Sequence, residues 1–261
     1  MTGVQTCALP ICQIQNGAIE QAKAANIELI ILDAQNDPLI QNNDIDNLIQ
    51  QKVNILLINP VDSDAISSAI INANKYNIPI IMIDRKANKG NFDTLIASDN
   101  VAGGELAAKF IIDRLGKNTK VAILQGILGA SATREREKGF LLGAKNNLII
   151  VTKQSANFDR ANGLTVTENI LQANKSIEAI FAQNDEMALG AIEATKSINK
   201  KILIIGFDGN GDAIKAIKDG RLDATIAQQP YLIGQNAIIV ALKLINHQLV
   251  KKEINIPLKV I

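Results

Sequence analysis

The strongest constraint on the fold is a regular alternation along the chain. From Gln13 onward, short runs rich in Ile, Val and Leu alternate with amphipathic stretches of helical length. The apolar runs are nearly continuous, as in strands that are buried on both faces of a parallel sheet. An order of strand, helix and strand produces right-handed βαβ units whose helices cover the sheet. The sequence therefore predicts an α/β fold.

The apolar runs place the predicted strands at Ile27–Asp33, Val53–Pro60, Ile78–Asp84, Val121–Gly126, Leu148–Ser155, Ile177–Gln183, Ile202–Asp208 and Ala224–Gln228. Helices are predicted between them, among others at Asn16–Ala25, Ala102–Leu115, Glu186–Ser197 and Leu232–Asn246. The polar, glycine-containing segment Ile96–Gly104 breaks the alternation. We interpret it as a crossing between domains.

Two further breaks lie at Gln228–Pro230 and near Pro257. Together with the first, they predict two doubly wound, Rossmann-like domains joined by a hinge of several strands. The expected N-terminal domain comprises residues 1–98 and 229–257, and the expected C-terminal domain comprises residues 99–228 and 258–261. The sequence contains no low-complexity linker, which favours a hinge over a flexible tether.

Charge and hydropathy limit the ligand. The chain has 27 basic and 26 acidic residues, a formal net charge of +1. This balance gives no electrostatic attraction to nucleic acid or to a membrane surface. No apolar run reaches the roughly 18 residues of a membrane span, so we expect no membrane insertion. A small uncharged ligand is favoured.

The first residues, Met1–Cys12, differ in composition from the rest and contain both cysteines. They resemble translated sequencing-adapter read-through, so we interpret them as non-native residues that replace a leader and a first strand. The alternative is a genuine short N-terminus in which Cys7 and Cys12 are ordinary apolar residues. The two cysteines and the single His247 are too few for a four-ligand zinc site, and no metal or cofactor is expected.

Polar and aromatic residues stand at the carboxyl ends of the predicted strands, where open α/β sheets bind ligands. They are Asn59, Asp84, Arg85, Asn184, Asp185, Phe207, Asp208 and Gln228. A sugar needs such a mixture, because each hydroxyl both donates and accepts hydrogen bonds. Arg offers a planar fork of donors, Asp accepts from two hydroxyls, and aromatic rings cover the C–H face.

Each residue also has an ordinary structural alternative. Asn59, Asp62 and Asp185 are residue types typical of turns and helix caps. Asp84 and Arg85 could form a local ion pair, and Phe207 could belong to the core. Recurrence at one sheet edge favours the ligand site over these alternatives.

Catalysis and nucleotide binding are not indicated. The segment Gln125–Arg136 contains Gly126 and Gly129 but lacks both the dinucleotide fingerprint and the Walker lysine. The only histidine, His247, follows no nucleophile motif, so no Ser-His-Asp set can be assembled. Arg134 and Arg136 open a predicted helix, and one of them is expected to reach the ligand.

From about Gln13 to the C-terminus the chain resembles the ribose-type members of the periplasmic sugar-binding family, which share their fold with LacI-type repressor cores. The resemblance is carried by the segments Leu56–Ala65, Asn77–Gly90, Ile96–Gly104, Phe181–Ala191, Ile204–Asp212 and Ala224–Pro230. It implies a type I periplasmic-binding-protein fold and a non-enzymatic, monomeric sugar carrier of an ABC importer.

The resemblance also assigns the ligand contacts. In the first domain they are Asn59, Asp84 and Arg85, with Gln228 at the hinge. In the second they are Arg136, Phe158, Asn184, Phe207 and Asp208, so Arg136 is preferred to Arg134. The implied ligand is D-ribose or a similar monosaccharide in an interdomain cleft. The implied partners are the permease and, in some species, a chemoreceptor, and the implied location is the periplasm.

The sequence departs from the family at its N-terminus. Family members begin with a strand and an Asn-Pro-Phe-Phe-like loop, whereas MTGVQTCALPIC stands here. Pro10 cannot donate a ladder hydrogen bond, so we expect this chain to bind ribose weakly or not at all and to be less stable than a version with the family's first strand. The effector core of a LacI-type regulator and a Rossmann-like enzyme are alternative functions, and allose-, galactose- and autoinducer-type ligands are alternatives to ribose.

Overall fold

A computed structural model describes residues 10–196 and 201–261, which form two compact units. The first unit contains the described residues up to Ser98, Gly129–Ser131 and Gln229–Ile256, and the second contains Asp99–Leu128, Ala132–Gln228 and Pro257–Ile261. The predicted domain boundaries differ by putting residues 129–131 in the second unit and Pro257 in the first. Most of Met1–Cys12 and the predicted helix end Ser197 lie outside the described residues.

In chain order, the helices are α1 Pro10–Ala24, α2 Pro38–Gln50, α3 Ser67–Lys75, α4 Asn100–Leu115, α5 Ser131–Ala144, α6 Arg160–Ala173, α7 Asp185–Thr195, α8 Gly211–Lys218 and α9 Pro230–Ile245. The strands are β1 Leu56–Ile58, β2 Ile80–Ile83, β3 Thr94–Ser98, β4 Thr119–Gln125, β5 Leu148–Ser155, β6 Ala179–Ala182, β7 Leu203–Asp208, β8 Ala224–Ala227, β9 Glu253–Ile256 and β10 Lys259–Val260. The predicted α/β class is confirmed.

The first unit is built on a parallel sheet of order β1-β2-β3-β9. Helices α1 and α9 cross closely because glycines remove side chains from the contact. A Cβ on Gly17 would lie 2.1 Å from the carbonyl oxygen of Tyr231, and one on Gly234 would lie 1.9 Å from that of Ile14. Cys12 is disulfide-bonded rather than an ordinary apolar cysteine.

The strand predicted at Ile27–Asp33 is wrong. This segment has no strand structure, and Ile30, Ile31 and Leu32 are 45%, 42% and 48% exposed. A strand requires a hydrogen-bonded neighbour, and within the described residues β1 is an edge strand that pairs with β2 alone. Hydrophobic character alone therefore did not make this segment a strand.

The second unit contains a sheet of order β10-β8-β7-β6-β4-β5, which is parallel except for the antiparallel pair of β10 and β8. Two hydrophobic clusters cover its faces, one of them containing the stacked rings of Phe140 and Phe181, 4.6 Å apart.

The seven remaining predicted strands are confirmed as β1, β2 and β4–β8, several of them shorter than predicted. Strands β3, β9 and β10 were not predicted, because they are short and contain polar residues.

None of the helices in residues 10–196 and 201–261 combines the length and apolar character that a membrane span requires.

Candidate ligand-binding site

In the first unit, two predicted site residues directly follow strand β2. Asp84 adopts a left-handed backbone conformation, with φ 62°, while its N–H donates to the carbonyl of Ile96 at 2.9 Å. Its carboxylate lies 3.6 Å from the Arg85 Nε, and Arg85 Nη1 donates to the Pro60 carbonyl at 3.5 Å. The local ion pair that was the alternative for these two residues therefore forms, and Arg85 also contacts the loop that follows Asn59.

Asn59 presents an amide oxygen at the end of β1. Gln41 fixes the backbone around it, because the Gln41 side chain donates to the Asn59 carbonyl at 2.8 Å and accepts from the Val61 N–H at 2.9 Å. Among the residues that the structure describes, nothing donates to Asn59 Oδ1, although this atom is buried. The backbone carbonyl of Asn59 therefore binds Gln41, whereas its side-chain oxygen has no donor among the described residues. Sequence reasoning missed Gln41, which lies in an otherwise unremarkable helix.

Arg136 is the centre of the polar set in the second unit. Its side chain is buried, with Nε donating to Asn100 Oδ1 at 2.9 Å and Nη1 donating to the Gln183 carbonyl at 2.5 Å. The guanidinium carbon lies 3.8 Å from the centre of the Phe207 ring and 6.0 Å from that of Phe158. Cation–π attraction and hydrogen bonds together hold the planar donor group in one orientation.

Asp208 and Gln228 complete this arrangement. Asp208 Oδ1 lies 3.4 Å from Arg136 Nη1 and accepts from Gln228 Nε2 at 2.7 Å. Asp208 has φ 117°, a strained backbone conformation that is common at functional sites. Gln228 Oε1 is buried and accepts no hydrogen bond from any described residue. It resembles Asn59 Oδ1 in this respect.

Asn184, one of the predicted ligand contacts, has a structural role in the second unit. It caps α7 by accepting from the Met187 N–H at 2.9 Å, and its Nδ2 donates to the Phe158 carbonyl at 3.1 Å. Phe158 itself has φ 61°, and its ring lies so near Gly126 that a Cβ there would come within 2.0 Å of it. Gly126 therefore makes room for an aromatic ring. One donor and one lone pair of the Asn184 amide remain for another partner.

Asp185 is a buried acid with partners inside the protein. Its carboxylate accepts from the Thr225 hydroxyl at 2.6 Å and from the Asn210 N–H at 2.8 Å. Burial, and then the negative charge of Asp208, raise the pKa of Asp185 well above its usual range. The cap or turn role considered for Asp185 is wrong, because Asn184 is the cap of this helix.

Two other candidates have ordinary roles. Asp62 accepts from the N–H groups of Asp64 and Ala65 at 2.8 and 2.9 Å, as a turn residue does. Arg134 is exposed and donates to the Leu128 carbonyl at 3.2 Å, whereas Arg136 is buried. Phe207 is both a member of the core and a platform for Arg136, so the two interpretations of this residue coexist.

Each of the two α/β units has a largely parallel sheet with hydrogen-bonding side chains at its strand ends. This combination is typical of a binding protein for a small polar molecule. The profile of the periplasmic binding protein domain matches residues 10–249. The chain belongs to this family.

Among its relatives, the chain is similar to the ribose import binding protein RbsB of Bacillus subtilis, with 55% identity over 94% of this chain and 81% of the relative. It is 42% identical to RbsB of Escherichia coli over 95% of this chain and 84% of that protein. These relatives are import binding proteins and not enzymes.

The fold is also similar to that of solved binding proteins. A periplasmic solute-binding protein of an Actinobacillus succinogenes ABC transporter, crystallised with D-allose, has a TM-score of 0.89 at 34% identity, over 98% of this chain and 94% of that one. The arabinose-binding component from Shewanella has a TM-score of 0.91 at 31% identity, over 97% and 87%. These matches give no support to the alternatives of a LacI-type regulator or an enzyme.

Proposed function

We propose that this chain is the sugar-binding component of an ABC importer and that its ligand is D-ribose or a closely related monosaccharide. The observation that carries the proposal is the set around Arg136, in which a guanidinium, a carboxylate, an aromatic ring and a free amide oxygen lie together. A buried polar atom without a partner costs about 1–3 kcal/mol. Hydroxyl donors of a sugar would remove that cost at Asn59 Oδ1 and Gln228 Oε1.

The chemistry of the two polar sets fits a monosaccharide. Asp84 and Asp208 accept from hydroxyls, Arg85 and Arg136 donate to ring or hydroxyl oxygens, and Phe158 and Phe207 offer apolar faces to C–H groups. The proposed contacts are Asn59, Asp84, Arg85, Arg136, Phe158, Asn184, Phe207, Asp208 and Gln228. No nucleophile is needed for such a task.

In this proposal the sugar contacts the polar sets of both units, and hinge closure presents the loaded protein to the membrane permease. A ligand drives such a change only through its stronger binding to one conformation. The names of the relatives support ribose, and the family supports a periplasmic location. A monomeric state and a chemoreceptor as a second partner belong to the same proposal.

A thermal-shift screen with a panel of pentoses and hexoses tests the ligand. We expect D-ribose to raise Tm most, because a ligand at a hundredfold excess over its Kd stabilises by about 2.7 kcal/mol. Titration calorimetry then compares Arg136→Gln with Arg134→Gln, two arginines on the same helix. The first variant should lose ribose binding and the second should retain it. The screen uses both this chain and a version with a family-type first strand, and the absence of a Tm change with every sugar in both proteins would contradict the proposed function.

A further inference from the structure

Asn100, a residue outside the proposed set of ligand contacts, hydrogen-bonds the guanidinium of Arg136. Asn100 is 2% exposed and is the first residue of α4, after the N-cap Asp99. Its Oδ1 accepts the single N–H of Arg136 Nε at 2.9 Å. This bond leaves the Nη groups of Arg136 to face its other partners.

A second contact orients the amide of Asn100. Its Nδ2 donates to Glu135 Oε2 at 3.3 Å, so the amide nitrogen is directed to a carboxylate and the amide oxygen to a guanidinium. The reverse orientation would place two donors together and two acceptors together. Glu135, Asn100 and Arg136 therefore form a directed chain of hydrogen bonds.

The backbones that carry this chain are in close contact. A Cβ on Gly104 of α4 would lie 2.2 Å from the carbonyl oxygen of Arg136, and one on Gly139 of α5 would lie 1.9 Å from that of Val101. Glycines on both helices thus permit an approach that other residues would prevent. With α4 and α5 fixed, Asn100 has little freedom to follow Arg136 if the guanidinium moves.

The location of Asn100 along the chain adds a connection. The chain leaves the first unit after Ser98 and enters the second at Asp99, one residue before Asn100. A displacement of this crossing segment would therefore be transmitted directly to the Asn100 amide and to Arg136.

We propose that Asn100 is a positioning residue for ligand binding, which fixes the Arg136 guanidinium and links its position to the crossing at Ser98 and Asp99. This inference rests on the proposed function only for the role of Arg136 as a sugar contact. Asn100 acts through Arg136 and does not itself need to touch the sugar.

The test measures D-ribose affinity by titration calorimetry and Tm by thermal unfolding in a set of full-length variants. Asn100→Ala should weaken ribose binding about tenfold to a hundredfold, the range for a lost hydrogen bond to a charged group. Thr167→Ala is the matched control, because the buried Thr167 hydroxyl, as far as residues 10–196 and 201–261 are concerned, bonds only within its own helix, to the Gly163 carbonyl at 2.6 Å. It should lower Tm and leave affinity unchanged.

Rescue separates positioning from general stability. Asn100→Asp keeps an acceptor for Arg136 but places a carboxylate beside Glu135, and should bind ribose weakly. Adding Glu135→Gln restores a donor opposite Asp, so the double variant should recover affinity to within a fewfold of the original. In an Arg136→Lys background, which lacks the Nε donor, Asn100→Ala should have no further effect. An equal effect in both backgrounds would overturn the proposal.

A measurement without ligand keeps the two proposals distinguishable. In a ¹⁵N–¹H NMR spectrum, the Arg136 Nε–H signal, assigned from its loss in Arg136→Lys, should exchange slowly with solvent. Asn100→Ala should abolish that protection, and the double variant should restore it. Protection that survives Asn100→Ala would refute the positioning role. Absence of ribose binding both by the original protein and by a version with a family-type first strand would instead refute the proposed function.

Discussion

The two units differ in how many of their apolar segments become strands of a sheet. In the second, β6 lies between β4 and β7 and is entirely buried. In the first, Ile27–Asp33 is equally apolar in sequence, yet Ile30, Ile31 and Leu32 remain 42% to 48% exposed. The difference teaches that a strand is a property of a pair of segments. An apolar run becomes a strand when a neighbour satisfies its backbone and helices cover its faces.

The exposed segment still belongs to the first unit. Its first residues, Ile27 and Leu29, pack together with Leu57 of β1 against a small cluster on α1 and α9. Side-chain packing therefore holds the start of Ile27–Asp33 near the sheet, while its backbone forms no ladder. A strand beside β1 that also paired with Ile27–Asp33 would complete the sheet of the first unit.

The largest expected effect comes from supplying such a neighbour. In the variant that tests this, a family-type first strand and an Asn-Pro-Phe-Phe-like loop replace Met1–Cys12. The new strand should pair with Ile27–Asp33. Ile30, Ile31 and Leu32 are already more than half buried, so completing their burial would contribute about 2–4 kcal/mol at 1.5–3 kcal/mol per fully buried side chain. The new backbone hydrogen bonds of the strand would add about 0.5–1.5 kcal/mol each. Thermal unfolding should show a higher Tm, and calorimetry should show tighter ribose binding. Equal ribose affinity in the two versions would refute this prediction.

A second prediction compares one arginine from each unit. Arg136→Gln leaves Asp208 buried without its charged neighbour, which typically costs 3–5 kcal/mol, and should also abolish ribose binding. Arg85→Gln should lose affinity with a smaller loss of stability, because the Arg85–Asp84 pair is longer and slightly more exposed. Urea unfolding and calorimetry measure both quantities. Equal stability losses would show that the two polar sets are built alike.

The smallest effect concerns pH and is restricted to the second unit. The pKa of Asp185 is raised in the folded protein by burial, so the folded state binds this proton more tightly than the unfolded state does. Its contribution to stability is therefore full below the ordinary value of 3.8 and is lost as pH rises towards the folded pKa. Relative to the original protein, Asp185→Asn should gain Tm progressively above about pH 4. A Tm difference independent of pH would contradict this.

Much of the candidate site could be proposed before the fold was known, because the polar residues follow apolar runs and the carboxyl ends of parallel strands meet at one edge. Arg136 could be preferred to Arg134 only through the resemblance, and the structure separates the two by burial. Gln41 and Asn100 could not be found in this way. Both lie in helices, and their amides matter through partners distant in sequence.

The sequence by itself determined the α/β class, the order of seven of the strands that the structure describes, and the family, since all of these follow from local hydrophobic patterning and from continuous motifs. Only the tertiary structure decided that Ile27–Asp33 would stay outside a sheet and that Asp185 would be a buried acid. It also decided that the side-chain oxygens of Asn59 and Gln228 would have no donor in the part of the chain that the structure describes. Hydrogen-bond pairing and burial depend on residues far apart in the chain, and no local pattern encodes them.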